Sequence, residues 1–198
     1  MLSQEEIDAA PEQTFGDVKP GDIKYVDMND DGKIDDNDRV FLGRWDTPFR
    51  MGLNLTAKWK NFTFFAMGNL WLGGHAMKND SYWWVRGTGK YSEVVRNAWT
   101  PETAATATYP RLTTTNGDNN FRNSDFWMYS TDRFNLSRVQ ITYELPSNLF
   151  EGSFVRGIDV YVGGSNLLTI AKERKILETN IGAAPSMRSY NIGFRASF

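Results

Sequence analysis

Cysteine is absent from the sequence, histidine occurs once, and no long apolar run is present. The lack of cysteine excludes disulfide frameworks, cysteine-ligated metals and thiol catalysis, and the single histidine excludes any site that needs two. No segment approaches the roughly 18–20 consecutive apolar residues of a membrane-spanning helix. Charge of neither sign dominates, because the net charge is −2, so a nucleic-acid partner is not indicated.

Aromatic residues, by contrast, are abundant. Phe, Tyr and Trp make up 14% of the 198 residues, although only 40% of the residues are hydrophobic and the mean hydropathy is −0.49. Apolar residues spread this thinly are typical of porin-like strands, in which only alternate residues contact lipid. The composition therefore indicates a β-rich protein that is long enough for one domain with a sizeable core.

Residues 27–38 form the most specific local motif, which reads DMNDDGKIDDND. It fits the calcium-loop template, with oxygen-bearing side chains at alternate positions, a glycine at the sixth position and an acidic residue at the twelfth. Calcium takes about six to eight oxygen ligands. The expected ligands are Asp27, Asn29, Asp31, the backbone carbonyl of Lys33, Asp35 and Asp38. The flanking residues look extended rather than helical, so the motif predicts a structural Ca²⁺ staple. A solvated acidic turn is the alternative, because Asp, Asn and Gly are also ordinary turn formers.

Five segments alternate between apolar and polar residues. Each has roughly 9–12 residues, which is the length of a tilted membrane-spanning strand rather than the 5–6 residues of an average soluble strand. Trp59, Tyr143 and Tyr190 lie near the ends of the apolar sets, as in an interfacial aromatic belt. The pattern favours antiparallel strands of a transmembrane β-barrel over a soluble β-sandwich, whose strands also alternate. The expected strands are 51–59, 62–70, 134–145, 156–167 and 190–198.

The connections between these strands alternate between short and long. Outer-membrane barrels have short periplasmic turns and longer extracellular loops. Connections 60–61 and 146–155 are therefore expected in the periplasm, and 73–132 and 169–186 outside the cell. This order predicts two regions: residues 1–48 as an extracellular segment that carries the calcium loop, and residues 49–198 as barrel strands with the long loop 73–132.

The long loop is rich in aromatic residues, including the consecutive Tyr82, Trp83 and Trp84. So many rings cannot all lie in water, and a packed core within the loop is the simpler interpretation. The alternative is that some of these three rings stack on a ligand, as aromatic faces do on sugars. The sequence leaves both interpretations open.

Several short blocks share their order and spacing with one known family. The blocks are PGDIKY (20–25) with the acidic loop, WKNF (59–62), NAWTPE (97–102), YPRL (109–112), SDFW (124–127), FNLSRV (134–139), YELP (143–146), VYVGGSNLLT (160–169) and the terminal Phe198. Together they resemble the C-terminal end of SusC/RagA-type TonB-dependent outer-membrane transporters of Bacteroidetes. One block departs from the family, since its usual Arg-Leu-Lys-Asn run is Asn135-Leu136-Ser137-Arg138 here.

The resemblance implies the C-terminal antiparallel strands of a large transmembrane β-barrel in the cell outer membrane. It implies import of oligosaccharides or peptides with a SusD-like surface lipoprotein, energy from the TonB complex, and a barrel-assembly signal at Phe198. The family's plug, TonB box and signal peptide have no counterpart in the sequence, and five strands cannot close a barrel. We therefore expect a fragment, not functional alone, whose partners are the lipid bilayer and the remaining barrel and plug.

Two other interpretations stay open. A soluble, calcium-stabilised β-sandwich that binds carbohydrate would seal the apolar residues between two facing sheets. A hydrolase would use a pair of acids, for which Glu144 and Glu151 are candidates. No acid–base constellation is evident around that pair, so we expect no enzymatic activity.

Overall fold

The computed structural model describes residues 1–89, 91–115 and 117–198, so Lys90 and Asn116 of the predicted loop 73–132 lie outside the described residues. The chain divides into two compact units. The loop unit comprises Met1–Gly43 and Ala76–Tyr129, and the sheet unit comprises Arg44–His75 and Ser130–Phe198.

The regular elements are mostly strands. Short 3₁₀ helices occupy Asp36–Asp38, Glu93–Asn97, Pro101–Thr103, Asp125–Trp127 and Ser147–Phe150. The helices and strands are α1 (Gln4–Ala9), β1 (Glu12–Gln13), β2 (Lys33–Ile34), β3 (Phe49–Trp59), β4 (Phe62–Leu72), β5 (His75–Met77), β6 (Met128–Ser130), β7 (Arg133–Glu144), β8 (Gly157–Ile170), α2 (Arg174–Thr179) and β9 (Ser189–Ser197). Within the described ranges, no helix has both the length and the apolar character needed to cross a membrane.

Strands β3, β4, β7, β8 and β9 form one antiparallel sheet in this order, so each strand pairs with the next long strand along the chain. Trp59 pairs with Phe62 across the two-residue turn Lys60-Asn61, which confirms the predicted hairpin. Lys60 adopts a left-handed conformation with φ of 51°, as tight hairpin turns require. The five predicted strands are therefore confirmed.

Apolar side chains form continuous rows across one face of this sheet, because residues that pair directly point to the same side. One such row is Ala57, Phe64, Ile141, Val162 and Ile192. The neighbouring row on the opposite face is Thr56, Phe65, Gln140, Gly163 and Asn191. The apolar face is open: Leu55 is 58% exposed and Ile192 is 80% exposed.

No second sheet covers the apolar face among the described residues, since the other sheets are the two-stranded pairs β1–β2 and β5–β6. A soluble sandwich would have sealed these side chains between two layers, so that interpretation is not favoured. The outer strands β3 and β9 each pair along one side only. Their other edges carry unpaired backbone N–H and C=O groups.

The loop unit has a core of its own, built around Ile23, Tyr109, Phe121 and Trp127. The rings of Tyr109 and Trp127 meet edge to face with centroids 5.7 Å apart, a favourable aromatic geometry. Tyr25 packs against this core and its hydroxyl donates to the backbone oxygen of Asn119 at 2.7 Å. Burial raises the pKa of Tyr25 to about 12.

A buried polar network joins the two chain segments of the loop unit. Asp22 is fully buried, and its Oδ1 lies 2.7 Å from Arg111 Nε. Asn120 donates to the same oxygen at 2.7 Å, and the backbone N–H of Lys19 donates to Oδ2 at 2.9 Å. The backbone oxygen of Asn120 accepts from Trp127 Nε1 at 2.7 Å. The network therefore ties Asp22 to the aromatic core.

Candidate functional site

The acidic loop is folded by hydrogen bonds between its side chains and its own backbone. Asp27 Oδ2 accepts from the N–H of Gly32 at 2.8 Å, Asn29 Oδ1 from Asp31 at 3.1 Å, and Asp31 Oδ1 from Lys33 at 2.9 Å. Gly32 has φ of 84°, a conformation that favours glycine. The side chains expected to bind calcium are thus held along one tight turn.

Asp38 closes the loop. Its Oδ1 accepts from the N–H of Met28 and its Oδ2 from that of Asp35, both at 2.7 Å. These hydrogen bonds, the one from Asp35 foremost, hold the pKa of Asp38 below its usual value. Asp35 in turn caps the 3₁₀ helix Asp36–Asp38 by accepting from the N–H of Asn37 at 2.7 Å. Both carboxylate oxygens of Asp38 are therefore held by backbone donors of the loop.

Among the buried side-chain atoms of the loop that the structure describes, one oxygen lacks a hydrogen-bond partner. Asp27 Oδ1 is buried and receives no hydrogen bond within the described residues. A buried carboxylate oxygen without a donor is costly unless a cation contacts it. Within the described ranges no three acidic or histidine side chains form a ready-made metal cluster. The expected ligand set depends instead on Asn29 and the Lys33 carbonyl as well as on aspartates.

The loop is anchored to the rest of the loop unit by both apolar and polar contacts. Ile34 is 2% exposed, and its backbone oxygen accepts from the N–H of Thr14 at 3.0 Å beside the β1–β2 pair. Arg122 contacts Asp36 Oδ1 at 2.7 Å, and its guanidinium lies 3.7 Å from the centroid of the Phe15 ring. The acidic loop is therefore continuous with the packed part of the unit.

Tyr82, Trp83 and Trp84 form a partly buried aromatic group in the long loop. Trp83 and Trp84 pack against the aromatic core, while Tyr82 contacts Trp83 edge to face at 5.2 Å. Tyr109 positions this segment, because its hydroxyl donates to the Trp83 backbone oxygen at 2.8 Å and accepts from the Val85 N–H at 3.2 Å. All three residues are half-buried, and the Trp84 Nε1 is buried without a hydrogen-bond partner among the described residues.

The terminal Phe198 is 69% exposed and stacks on Phe154, with ring centroids 5.7 Å apart and planes 9° from parallel. Phe154 lies in the connection between β7 and β8 and is itself 80% exposed. Sequence reasoning did not single out Phe154, since nothing in the local pattern distinguishes a loop phenylalanine that meets the chain end.

Comparison with known proteins identifies relatives of the chain. No protein-family model matches it. It is 24% identical over 200 residues to TonB-dependent receptor P3 of Formosa agariphila, a match covering 92% of this chain and 20% of the relative. It is 29% identical over 217 residues to TonB-dependent receptor P26 of the same organism, covering 99% of this chain and 21% of the relative. The chain thus spans about a fifth of the length of these curated relatives.

The chain is also similar to part of the solved structures of a peptide importer, RagAB. In its closed-closed state the match has a TM-score of 0.62 and 25% identity, and covers 80% of this chain and 18% of the other. In the open-open state the TM-score is 0.60 with 26% identity, covering 77% and 17%. The fold is that of a β-barrel segment from an outer-membrane transporter. The resemblance to RagA-type TonB-dependent transporters is thereby confirmed.

Proposed function

We propose that the chain forms part of the barrel wall of a TonB-dependent nutrient importer in the cell outer membrane. The observation that carries this proposal is the sheet with one open apolar face and one mostly polar face. Exposed apolar rows on strands of 9–14 residues suit contact with the hydrocarbon core of a bilayer, and the polar rows suit a wet interior. The relatives are receptors and transporters rather than enzymes, in keeping with a role in import.

The free edges of β3 and β9 set a further requirement. Within a bilayer each unpaired backbone group costs several kcal/mol, so both edges need neighbouring strands. The chain is then one sector of a larger barrel and acts together with the remaining barrel and plug. On this account it is a fragment that does not transport alone, and the TonB complex acts through the plug.

The alternation of loop lengths gives the sector its orientation. The short turn at Lys60-Asn61 lies on the periplasmic side, and the loop unit lies outside the cell. An extracellular position would bring the loop unit within reach of a SusD-like lipoprotein, which we propose as its partner. The imported solute is an oligosaccharide or a peptide, and Tyr82, Trp83 and Trp84 are candidate contacts for it. Phe198 then lies at the periplasmic end, where the assembly machinery would read it.

Detergent partitioning tests the proposal directly. We expect the chain produced inside the longer importer to enter the outer membrane, and the 198-residue chain alone to partition into detergent without conducting solute. The apolar face of the sheet needs a detergent or lipid environment. The open edges of β3 and β9 find hydrogen-bond partners only within the complete barrel, so the chain alone forms no closed pore. Recovery of the chain alone as a stable monomer in the aqueous phase would contradict the proposal.

Calcium binding at residues 27–38 is a second proposal, favoured by the unpartnered Asp27 Oδ1. The site would use oxygens from Asp27, Asn29, Asp31, Asp35 and Asp38 with the Lys33 carbonyl. A bound Ca²⁺ would neutralise the crowded carboxylates and fix the turn, as a structural staple for the loop unit.

Exchanging one aspartate tests this site. We expect Asp27→Asn to weaken calcium binding at least tenfold in a terbium-luminescence titration, because it removes a direct charged ligand. Asp30→Asn is the matched control, since it makes the same change of charge in the same loop at a position outside the ligand set. Equal loss in both variants, or no binding by the unaltered loop, would refute the proposed site.

A further inference from the structure

The charges on the polar face of the sheet are unevenly distributed. Near the turn at Lys60-Asn61, acidic and basic residues mix, and Arg195 lies 3.8 Å from Asp159. Further from that turn, the charged residues that the strands place on the polar face are Arg50, Arg133 and Arg138, and Glu178 of α2 hydrogen-bonds to Thr169 on the same face. The strands of this half of the face therefore contribute only cationic side chains, and the one carboxylate beside them, Glu178, is paired with Arg174 at 3.0 Å among the described residues.

Two of these arginines flank one tryptophan. Arg50 pairs with Trp71, and Trp71 pairs with Arg133, so the three side chains form a row across β3, β4 and β7. The Arg133 guanidinium lies 4.3 Å from the centroid of the Trp71 ring. Strand spacing separates the backbones of the two arginines by roughly 10 Å. The tryptophan thus fixes one guanidinium, with a second cation across the row.

Arg138 continues the cationic surface further along β7. It pairs with Met67 beyond the bulge at Ser137, which keeps it on the same face as Arg133 and Trp71. Its guanidinium donates to the Gln140 side-chain oxygen at 2.8 Å, a neutral partner. Arg50 and Arg138 are both exposed, so their guanidinium groups are accessible.

None of the three arginines forms an ion pair with a carboxylate of the described residues, although seven other basic side chains of those residues do. The neighbouring acid, Asp132, accepts from the N–H of Gly73 at 2.6 Å instead. Arginine is the side chain best suited to bind a carboxylate, through two parallel hydrogen bonds. Several such groups along one wall would concentrate anions near it.

Neutral hydrogen-bonding groups surround the arginines. Asn69 donates to Ser137 Oγ at 2.6 Å, and Asn135 pairs directly with Asn69 across the sheet. Asn135 Oδ1 is buried and has no hydrogen-bond partner within the described residues. Amide and hydroxyl groups both donate and accept, as the hydroxyl groups of a sugar require. The mixture of arginine, amide and hydroxyl groups suits a sugar that carries carboxylates.

We propose that this face, centred on Arg50, Arg133 and Arg138, binds the carboxylate groups of an acidic oligosaccharide as it passes along the barrel wall. The inference rests on the proposed function, which makes the polar face the lining of the pathway. It adds to that function the chemical class of the solute. Trp71 and Arg133 hold the binding surface in place before the solute arrives.

Binding by the longer importer, purified in detergent, tests the inference. We expect a galacturonate oligomer to bind at least tenfold more tightly than a neutral galactose oligomer of the same length, and its affinity to fall with added salt. Replacing each arginine, as in Arg50→Gln, Arg133→Gln or Arg138→Gln, should weaken galacturonate binding roughly tenfold. Arg39→Gln is the matched control, because Arg39 lies outside the sheet and is already paired with Asp36 at 2.7 Å.

The possible outcomes distinguish failure of the binding inference from failure of the proposed importer function. Equal affinity for the acidic and neutral oligomers in a correctly inserted protein would overturn the inference and leave the importer intact. Binding of an oligoglutamate peptide but not of galacturonate would overturn the sugar class in favour of acidic peptides. Absence of the protein from the outer membrane would overturn both.

Discussion

In the proposed barrel, replacing Leu55 with arginine is expected to remove most of the folded protein from the outer membrane. Leu55 lies midway along β3 on the apolar face and is 58% exposed. An arginine that faces hydrocarbon near the bilayer centre costs about 2–4 kcal/mol. The measurement is the fraction of the longer protein that shifts on heating in an electrophoresis gel, a standard sign of a folded barrel.

Thr56→Arg is the matched control for this prediction. It introduces the same side chain one residue further along the same strand, on the polar face beside Phe65 and Gln140. We expect it to leave the folded fraction nearly unchanged, because the arginine would lie in water. If both variants fold equally well, the apolar face does not contact lipid, since an exposed leucine in a soluble protein tolerates arginine.

Asp22→Ala is expected to open the loop unit. The substitution leaves Arg111 without its buried partner and removes the acceptor for Asn120 and for the Lys19 backbone. Breaking a buried ion pair by removing one partner typically costs about 3–5 kcal/mol. The rate of proteolysis within the loop unit should therefore rise more than a hundredfold, provided that cleavage follows local opening.

Asp17→Ala provides the comparison, because Asp17 is exposed and belongs to the same chain segment. We expect its proteolysis rate to remain within a few-fold of that of the unaltered protein. Similar rates for both variants would show that the buried network does not stabilise the unit.

The sheet could be predicted from the sequence because the signals that define its strands lie within short stretches of sequence. Alternation of apolar and polar residues fixes which side each residue faces, and the two-residue turn fixes the register of β3 and β4. The position at which a strand ends depends more on its pairing with neighbouring strands. Strand β8 continues to Ile170, beyond the predicted end near 167, because the ladder resumes after Asn166 adopts a left-handed conformation with φ of 53°.

Two short helices were missed for different reasons. Helix α1 begins with a capping box in which Ser3 and Glu6 bond reciprocally, a signal that is visible in the sequence. Helix α2 lies in the predicted connection 169–186. It has no side-chain cap and ends at Asn180 in a left-handed conformation, so its sequence lacks a clear signal for the start of a helix. The predicted long connection is in fact ordered by this helix.

The site was predictable only in part. The spacing of aspartates and Gly32 predicts the turn of the acidic loop, because each side chain bonds to a backbone group a few residues away. The Asp22–Arg111 pair spans 89 residues of sequence, and no local pattern indicates which acid meets which base. The cationic face was missed likewise, since it appears only when three strands are placed side by side.

Cysteine scanning along β3 tests the central claim most directly, and the absence of native cysteine makes each introduced thiol unique. The scan covers positions 50–58 in the proposed longer importer, embedded in its membrane. We predict that a water-soluble maleimide labels the even positions and spares the odd ones. In a second measurement, a nitroxide-bearing lipid should quench the fluorescence of a probe attached at the odd positions only. Labelling without this alternation, or protection of the even positions, would contradict the claim that one face of the sheet contacts hydrocarbon.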